Sequence, residues 1–207
     1  MKTAKKGILI ICSGFSGAGK GTIIKKLLDG YRDYYSLSIS ATTRDPRAGE
    51  EDGREYFFKT REEFEKMINN DELIEYAMYV NNYYGTPKSY VLDQLKAGKD
   101  VILEIEIQGA LKVKEMFPDT LLLFVTTPDA GTLKERLTGR GTEDEAAIRA
   151  RLLRAGEEAM YIGAYDYLVV NDDLEECVKE IHSIIQSDHC RVSRNEEFIN
   201  NMRRELI

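Results

Sequence analysis

Ile8-Leu9-Ile10-Ile11-Cys12-Ser13-Gly14-Phe15-Ser16-Gly17-Ala18-Gly19-Lys20-Gly21-Thr22 is an apolar run that enters a glycine-rich turn and leaves it as a helix. That is the context of a phosphate-binding loop. Glycines let the backbone curl until successive N–H groups point at one anion. The positive end of the following helix points at the same place. The spacing G-x-x-x-x-G-K is met by Gly14, Gly19 and Lys20, with Ser16, Gly17 and Ala18 inside the turn. Lys20 adds a mobile positive charge for the outer phosphates. The next position, ordinarily Ser or Thr, is Gly21, and a hydroxyl returns at Thr22. The stretch therefore predicts a nucleoside triphosphate site, and leaves open which hydroxyl approaches a magnesium ion.

Outward from this loop, short apolar runs alternate with helical patterns. The runs are Ile8–Cys12, Val101–Ile107, Leu121–Val125 and Tyr167–Val170, with a more polar one at Leu37–Ile39. Near-continuous apolar character predicts strands buried on both faces, hence a parallel sheet. Helix starts are readable between them. Thr60 with Glu63, and Thr142 with Glu145, each fit a capping box. Thr86-Pro87 reads as an N-cap followed by proline at the first helical position. Asp173 with Glu176 opens a helix that carries Leu174, Val178, Ile181 and Ile185 on one face. The alternation predicts an α/β chain with a doubly wound, five-stranded parallel sheet.

Three segments break the alternation. Residues 37–90 read as an inserted binding lobe whose polar stretch 41–60 carries Tyr56-Phe57-Phe58 and suits short antiparallel strands. Residues 138–155 read as a mobile lid. Residues 191–207 read as a helical tail, with Phe198, Ile199, Met202 and Leu206 at helical spacing, packed on the core or on a second subunit. Residues 7–36, 91–137 and 156–190 remain as the core of a single domain.

Composition excludes several classes. The 207 residues are 43% hydrophobic, enough for a sizeable core. No apolar run approaches the roughly 20 residues needed to cross a bilayer. The apolar run after the basic N-terminus is too short for a signal-peptide core, so a cytoplasmic location is expected. A net charge of −7 argues against nucleic acid as a partner, so any nucleotide site must be a local cluster of arginines in an acidic protein. Cys12, Cys177 and Cys190 show no metal-ligand spacing and fit a reducing compartment. His182 reads as a helix residue and His189 as tail, neither catalytic.

From Ser38 the chain reads Ser-Ile-Ser-Ala-Thr-Thr-Arg-Asp-Pro-Arg-Ala-Gly-Glu-Glu-Asp-Gly-Arg-Glu-Tyr-Phe-Phe, with Glu75 and Asn82-Tyr83-Tyr84-Gly85-Thr86 further on. Arg44 and Arg47 flank a turn stiffened by Pro46. Arginine forks suit phosphate oxygens, and the phenols of Tyr56 and Tyr84 can complete a shell around one monophosphate. With the phosphate loop ahead of it, this series resembles the guanylate kinase family, from about Gly7 to about Gln186 and with the motifs in family order. The resemblance implies that Arg44, Arg47, Tyr56 and Tyr84 hold the phosphate of GMP. It implies that Glu75 faces the N–H donors of guanine while Ser40 and Thr86 face O6, a pattern that adenine does not match. Glu106 matches a position near the guanine and the transferred phosphate. Glu104 precedes it at i, i+2, where acids in an apolar strand are costly unless they meet donors or metal. Family members often carry aspartate at both positions.

Arg136, Arg140 and Arg151 surround the glycine-rich lid and, by the same resemblance, stabilise the migrating group. Phosphoryl transfer needs in-line positioning and positive charge more than covalent help. Arg149 and Arg154 match no motif and read as solvated. Asn171-Asp172-Asp173 follows the last strand, where the family holds the adenine ring of ATP; a helix cap there is an equal reading. The resemblance implies transfer from ATP, with Mg²⁺, to GMP or dGMP, by a monomer or homodimer. Two rivals share the fold: the scaffold modules related to this family, which bind phosphoproteins without catalysis, and a kinase for AMP or a pyrimidine monophosphate. An intact loop with Lys20 opposes the first, and Glu75 discriminates the second.

Overall fold

The computed structural model describes residues 6–139 and 145–207. The first elements in chain order are β1 (Leu9–Gly14), α1 (Lys20–Gly30), β2 (Tyr35–Leu37), β3 (Ala41–Thr42), β4 (Phe57–Phe58) and α2 (Arg61–Asn69). There follow β5 (Leu73–Tyr79), β6 (Asn82–Pro87), α3 (Lys88–Lys96), β7 (Asp100–Leu103), α4 (Ile107–Met116) and β8 (Leu121–Thr126). The remainder is α5 (Ala130–Thr138), α6 (Glu145–Ala159), β9 (Tyr167–Val170), α7 (Leu174–Asp188) and α8 (Glu196–Glu205).

The larger sheet has the order β2-β7-β1-β8-β9 with every pairing parallel, as the apolar runs predict. Its central strands β7, β1 and β8 are buried on both faces, and alternate side chains of one strand enter different cores. Ile8, Ile10 and Cys12 pack with Ile23 and Leu27 of α1 and Ile181 and Ile185 of α7. Leu9 and Ile11 pack on the other side with Val91 and Leu95 of α3 and Ala110 and Val113 of α4. Each such fully buried aliphatic side chain contributes roughly 1.5–3 kcal/mol relative to exposure. The strand ends of this sheet therefore sit on a rigid base, and β1 delivers the phosphate loop at its carboxyl end.

A smaller sheet has the order β4-β3-β6-β5. Its β3–β6 and β5–β6 pairs are antiparallel, and β3 runs parallel to β4. Its own core is Ala41, Phe64 and Leu73, with Phe64 stacked on Tyr83 at 5.1 Å between ring centroids. α5 and α6 form a separate layer through Leu133, Leu137, Ile148 and Ala155, against Phe15 of the phosphate loop.

Local signals are met where both partners are free to bond. Thr60 and Glu63 make the full capping box of α2, and Asp173 accepts from the Glu176 amide at the start of α7. Thr142, the expected partner of Glu145, lies outside the described residues. Thr86 does not cap α3: β6 runs through Pro87, the helix opens at Lys88, and the Thr86 hydroxyl is taken by Glu75. The run Leu37–Ile39 is shifted. β2 is Tyr35–Leu37, and Ser38 donates its amide to Ile102 as the chain leaves for the smaller sheet. The run Val101–Ile107 is cut short, because pairing with β1 ends at Ile11 opposite Leu103. Glu104 and Glu106 therefore do not share a strand face: Glu104 follows the strand and Glu106 is the N-cap position of α4. His189 is no free tail residue, since its Nε2 lies 2.9 Å from both carboxylate oxygens of buried Asp100.

Candidate functional site

The phosphate loop closes on itself and on its neighbours. Gly14 has φ +143°, and a β-carbon there would fall 2.0 Å from the Val125 carbonyl oxygen, so β1 and β8 leave room only for glycine. Gly19, the N-cap of α1, has φ +93°, and a β-carbon would fall 2.5 Å from the Asn171 side-chain nitrogen. The Ala18 amide donates to Phe15 O at 3.0 Å, which tightens the turn. Lys20 reaches back over the loop, its Nζ donating to Gly14 O at 2.8 Å and Phe15 O at 3.1 Å. The free amides at the start of α1 and the Lys20 ammonium thus face one small volume, the geometry of an anion site. Thr22 is exposed on the first turn of α1, and Glu104 comes to 3.8 Å from where a Gly21 β-carbon would be. Behind the loop, burial pushes the Cys12 thiol up to about 12, which leaves it an inert core residue.

Of the three expected lid arginines, one touches this loop and a second touches the Asn171 that supports it. Arg136, on α5, donates to the Asn171 carbonyl oxygen at 2.9 Å. Arg151, on α6, donates to the Ser16 hydroxyl. Arg140 lies outside the described residues, as do Gly141 to Asp144 of the expected lid. Arg154 is not merely solvated: its guanidinium pairs with Glu106 at 2.6 Å and with Glu158 at 3.1 Å. Glu106 is thereby tied to α6. Asn171 is buried, and its side chain donates to Ala18 O at 2.7 Å, which pins the loop from beneath. The helix cap at this end is Asp173.

The smaller sheet gathers the second set. Thr86 on β6 donates to Glu75 Oε1 at 2.7 Å from the neighbouring β5. Glu75 Oε2 lies 3.5 Å from where a Gly109 β-carbon would stand, so α4 closes over the carboxylate. Burial raises the Glu75 carboxyl above the usual range, with the Thr86 hydrogen bond and the Lys112 charge acting against the rise. Ser40 immediately precedes β3 and accepts the Phe57 amide at its carbonyl. Arg44 lies over the rings of Tyr56 at 5.4 Å and Phe58 at 5.9 Å, and Tyr84 is edge-on to Tyr56 at 6.0 Å. Arg47 is exposed at the same turn.

Sequence reasoning missed Glu50. Its two carboxylate oxygens each accept from Arg44 Nη2 at 2.9 Å, and one also accepts the Arg47 amide at 2.7 Å. A carboxylate here fills the arginine fork much as a phosphate would, and these bonds hold the Glu50 carboxyl below its ordinary range. The available signal was an acid three residues after the second arginine of a glycine-containing turn.

A glycine-rich loop at the carboxyl end of a parallel sheet, flanked by arginines of α5 and α6 and accompanied by a small arginine- and tyrosine-bearing sheet, defines a P-loop nucleoside monophosphate kinase. Comparison with known proteins narrows the class. The guanylate kinase family model matches residues 6–188. A guanylate kinase of Caldanaerobacter subterraneus subsp. tengcongensis is 50% identical over 207 residues, all of both chains. One of Bacillus cereus is 49% identical over 199 residues, 96% of this chain and 97% of that one. The crystal structure of guanylate kinase from Anaplasma phagocytophilum superposes with a TM-score of 0.71 at 32% identity, covering 92% of this chain and 90% of the other. The chain belongs to the guanylate kinase family, ATP:GMP phosphotransferases that use ATP as donor and Mg²⁺ as metal. Among the described residues no helix is long and apolar enough to cross a membrane, and no cluster of His, Cys, Asp and Glu could hold a metal ion by itself.

Proposed function

We propose that this site transfers the γ-phosphoryl group of ATP to GMP or dGMP, giving ADP and GDP or dGDP, with each residue in the role that its place suggests. The loop amides of 14–22 and Lys20 bind the donor phosphates. Mg²⁺ bound with ATP would supply charge neutralisation across the outer phosphates, and Thr22 and Glu104 are the residues that would hold it. Arg136 and Arg151 already rest on the loop and its Asn171 support, so their charge lies beside the donor; Arg140 completes the set in this reading. Arg44, Arg47, Tyr56 and Tyr84 hold the acceptor phosphate. That phosphate is already ionised and serves as nucleophile without a general base.

The observation that carries the base assignment is the Thr86 hydroxyl donating to Glu75. It fixes the carboxylate and leaves Oε2 for the N–H donors of guanine. Thr86 has one proton and gives it to Glu75, so Ser40 is the hydroxyl left to face O6. A buried carboxylate left unpaired by adenine disfavours AMP strongly. In the division that follows, residues 37–90 bind GMP, residues 138–155 form the lid, residues 7–36, 91–137 and 156–190 are the core, and 191–207 is a helical tail. Both substrates are cytoplasmic metabolites, which supports a cytoplasmic location.

The test is ADP release with ATP·Mg²⁺ and each of GMP, AMP, CMP, UMP and dTMP in turn. Turnover with GMP alone is expected. Turnover with another base would overturn the Glu75 and Ser40 assignments, and turnover with none would favour a binding module.

A further inference from the structure

Arg154 matches no motif, yet the fold places it between the two halves of the site. Its guanidinium serves two carboxylates at once. Nε donates to Glu158 Oε1 at 3.1 Å, one turn further along α6. Nη2 donates to Glu106 Oε2 at 2.6 Å, on a different helix. A planar fork holds both partners in fixed directions, which an ammonium on a flexible stem does not.

Each end of this bridge leads to one half of the site. Glu106 is the N-cap residue of α4, and its carbonyl accepts the Ala110 amide at 2.9 Å, so it moves with the first turn of that helix. Gly109, on the same turn, stands against Glu75: a β-carbon there would fall 3.5 Å from Oε2. The start of α4 is therefore the wall beside the Glu75 carboxylate. At the other end, Arg151 lies three residues before Arg154 and shares its side of α6. Arg151 donates to the Ser16 hydroxyl of the phosphate loop. Ile148 and Ala155 pack α6 on α5 and on Phe15 of the same loop. One helix thus carries an arginine to the loop and the next arginine to the wall beside Glu75.

We infer that Arg154 is a positioning residue that couples the two substrate sites: it ties the start of α4 to α6, so that GMP beside Glu75 and ATP on the loop each hold α6 where the other needs it. The inference rests on the substrate assignments proposed above. Arg154 touches neither substrate in this scheme. It acts through Glu106 on the acceptor side, and through the helix it shares with Arg151 on the donor side. The coupling is reciprocal, since each ligand changes the affinity for the other by the same factor. Its size is modest, because the Arg154 and Glu106 side chains are 54% and 73% exposed, and salt weakens such a pair.

Calorimetry of GMP binding to the full chain, alone and with Mg²⁺ and a non-hydrolysable ATP analogue, tests this. In the wild type the analogue should tighten GMP binding. Arg154→Met should shrink that tightening about threefold, the scale of an exposed ion pair. Arg154→Lys should shrink it nearly as much, because the fork is lost while the charge stays. The difference between wild type and Arg154→Met should close as salt is raised. Glu106→Gln should also shrink the tightening, and adding Arg154→Met to it should change nothing further, as for two residues that act as one. The melting temperature of Arg154→Met should match the wild type, so that a smaller tightening is not a loss of fold. A wild type with no tightening, an Arg154→Met variant that keeps it in full, or an Arg154→Met effect undiminished beside Glu106→Gln would each overturn the inference. Failure of the underlying substrate reading looks different: GMP would then not bind the wild type at all.

Discussion

The side-chain amide of Asn171 donates to the carbonyl oxygen of Ala18 at 2.7 Å, joining the residue after the last strand to the middle of the phosphate loop. The Asn171 amide N–H donates to Thr126 O, and its carbonyl accepts from Arg136, so the loop, two strands and α5 meet at one residue. Asn171→Ala removes a buried hydrogen bond and leaves the Ala18 carbonyl without its donor. A loss of about 1–3 kcal/mol in loop order is expected. It should appear as an ATP KM raised about tenfold or more with GMP KM little changed, read by initial rates. Asn171→Asp, which places an acceptor against the Ala18 carbonyl, should be worse than Asn171→Ala.

Lys20 spans the loop it serves, bonded to Gly14 O and Phe15 O. Lys20→Met keeps the stem and removes the charge. Turnover should fall about a thousandfold, the scale of losing one preorganised donor at developing charge. GMP binding by calorimetry should persist, because the residues proposed to hold GMP belong to the smaller sheet and its turn. Unchanged turnover would remove Lys20 from the donor site.

Glu75 sets a pH dependence with a definite sign. Burial raises its carboxyl in the folded protein. As pH falls through that raised value, the carboxylate takes a proton and, in the proposed base site, no longer accepts from the guanine N–H groups. The GMP KM should therefore climb on acidification while pH is still above the ordinary glutamate range, with ATP KM flat. Stability moves the other way. The folded state protonates Glu75 before the unfolded state does, so over that window this group becomes less destabilising as pH falls. Glu75→Gln should remove both trends and raise the GMP KM at neutral pH by about a hundredfold. A KM profile that Glu75→Gln leaves unchanged would mean that another group titrates.

How much of this was legible in the sequence varies by kind of signal. The five-stranded parallel sheet could be read because Ile8–Cys12, Leu121–Val125 and their neighbours are apolar on both faces. The phosphate loop could be read because its glycines are required by local geometry. Strand ends could not, because Val101–Ile107 stays largely apolar past Leu103 and only the lost partner on β1 ends the strand. Thr86-Pro87 carries a genuine capping pattern, but a tertiary bond to Glu75 claims the hydroxyl. Arg154 and His189 were read as solvated or as tail because each finds its partner through a fold that spacing does not encode, whereas Glu50 has local partners in Arg44 and Arg47 and was missed for want of a turn geometry. A polar residue looks solvated until the chain brings Glu106 or Asp100 to it.

The turn between β5 and β6 stores removable strain. Val80 and Asn81 both lie in the left-handed region, with φ +45° and +63°. Asn81 tolerates this conformation, but a β-branched valine does not. Val80 is also exposed, so its side chain gains little by staying. Val80→Gly or Val80→Asn should stabilise the protein by about 1 kcal/mol, seen as a higher urea midpoint at unchanged slope. A lower midpoint would mean that the Val80 side chain packs on something that outweighs the strain.

Asp100 and His189 form a clasp far from the site. Asp100 opens β7, at the end of the sheet opposite the phosphate loop, and is buried. Its carboxylate accepts the Ile8 amide at 2.8 Å and faces His189 Nε2 at 2.9 Å, fastening the amino end of β1 and the end of α7 to one group. Asp100→Ala strands a buried N–H and a buried imidazole together and should cost about 3 kcal/mol or more. Asp100→Asn keeps an acceptor for Ile8 and a polar partner for His189, so it should cost clearly less. His189→Ala leaves the carboxylate, among the described residues, with the Ile8 amide alone and should fall between them. In all three, kcat and both KM values should stay within about twofold wherever the protein is folded, because the strand's other end holds the chemistry. Urea unfolding beside initial rates separates the two effects. A variant that lost activity without losing stability would show that the clasp reaches the site through β7.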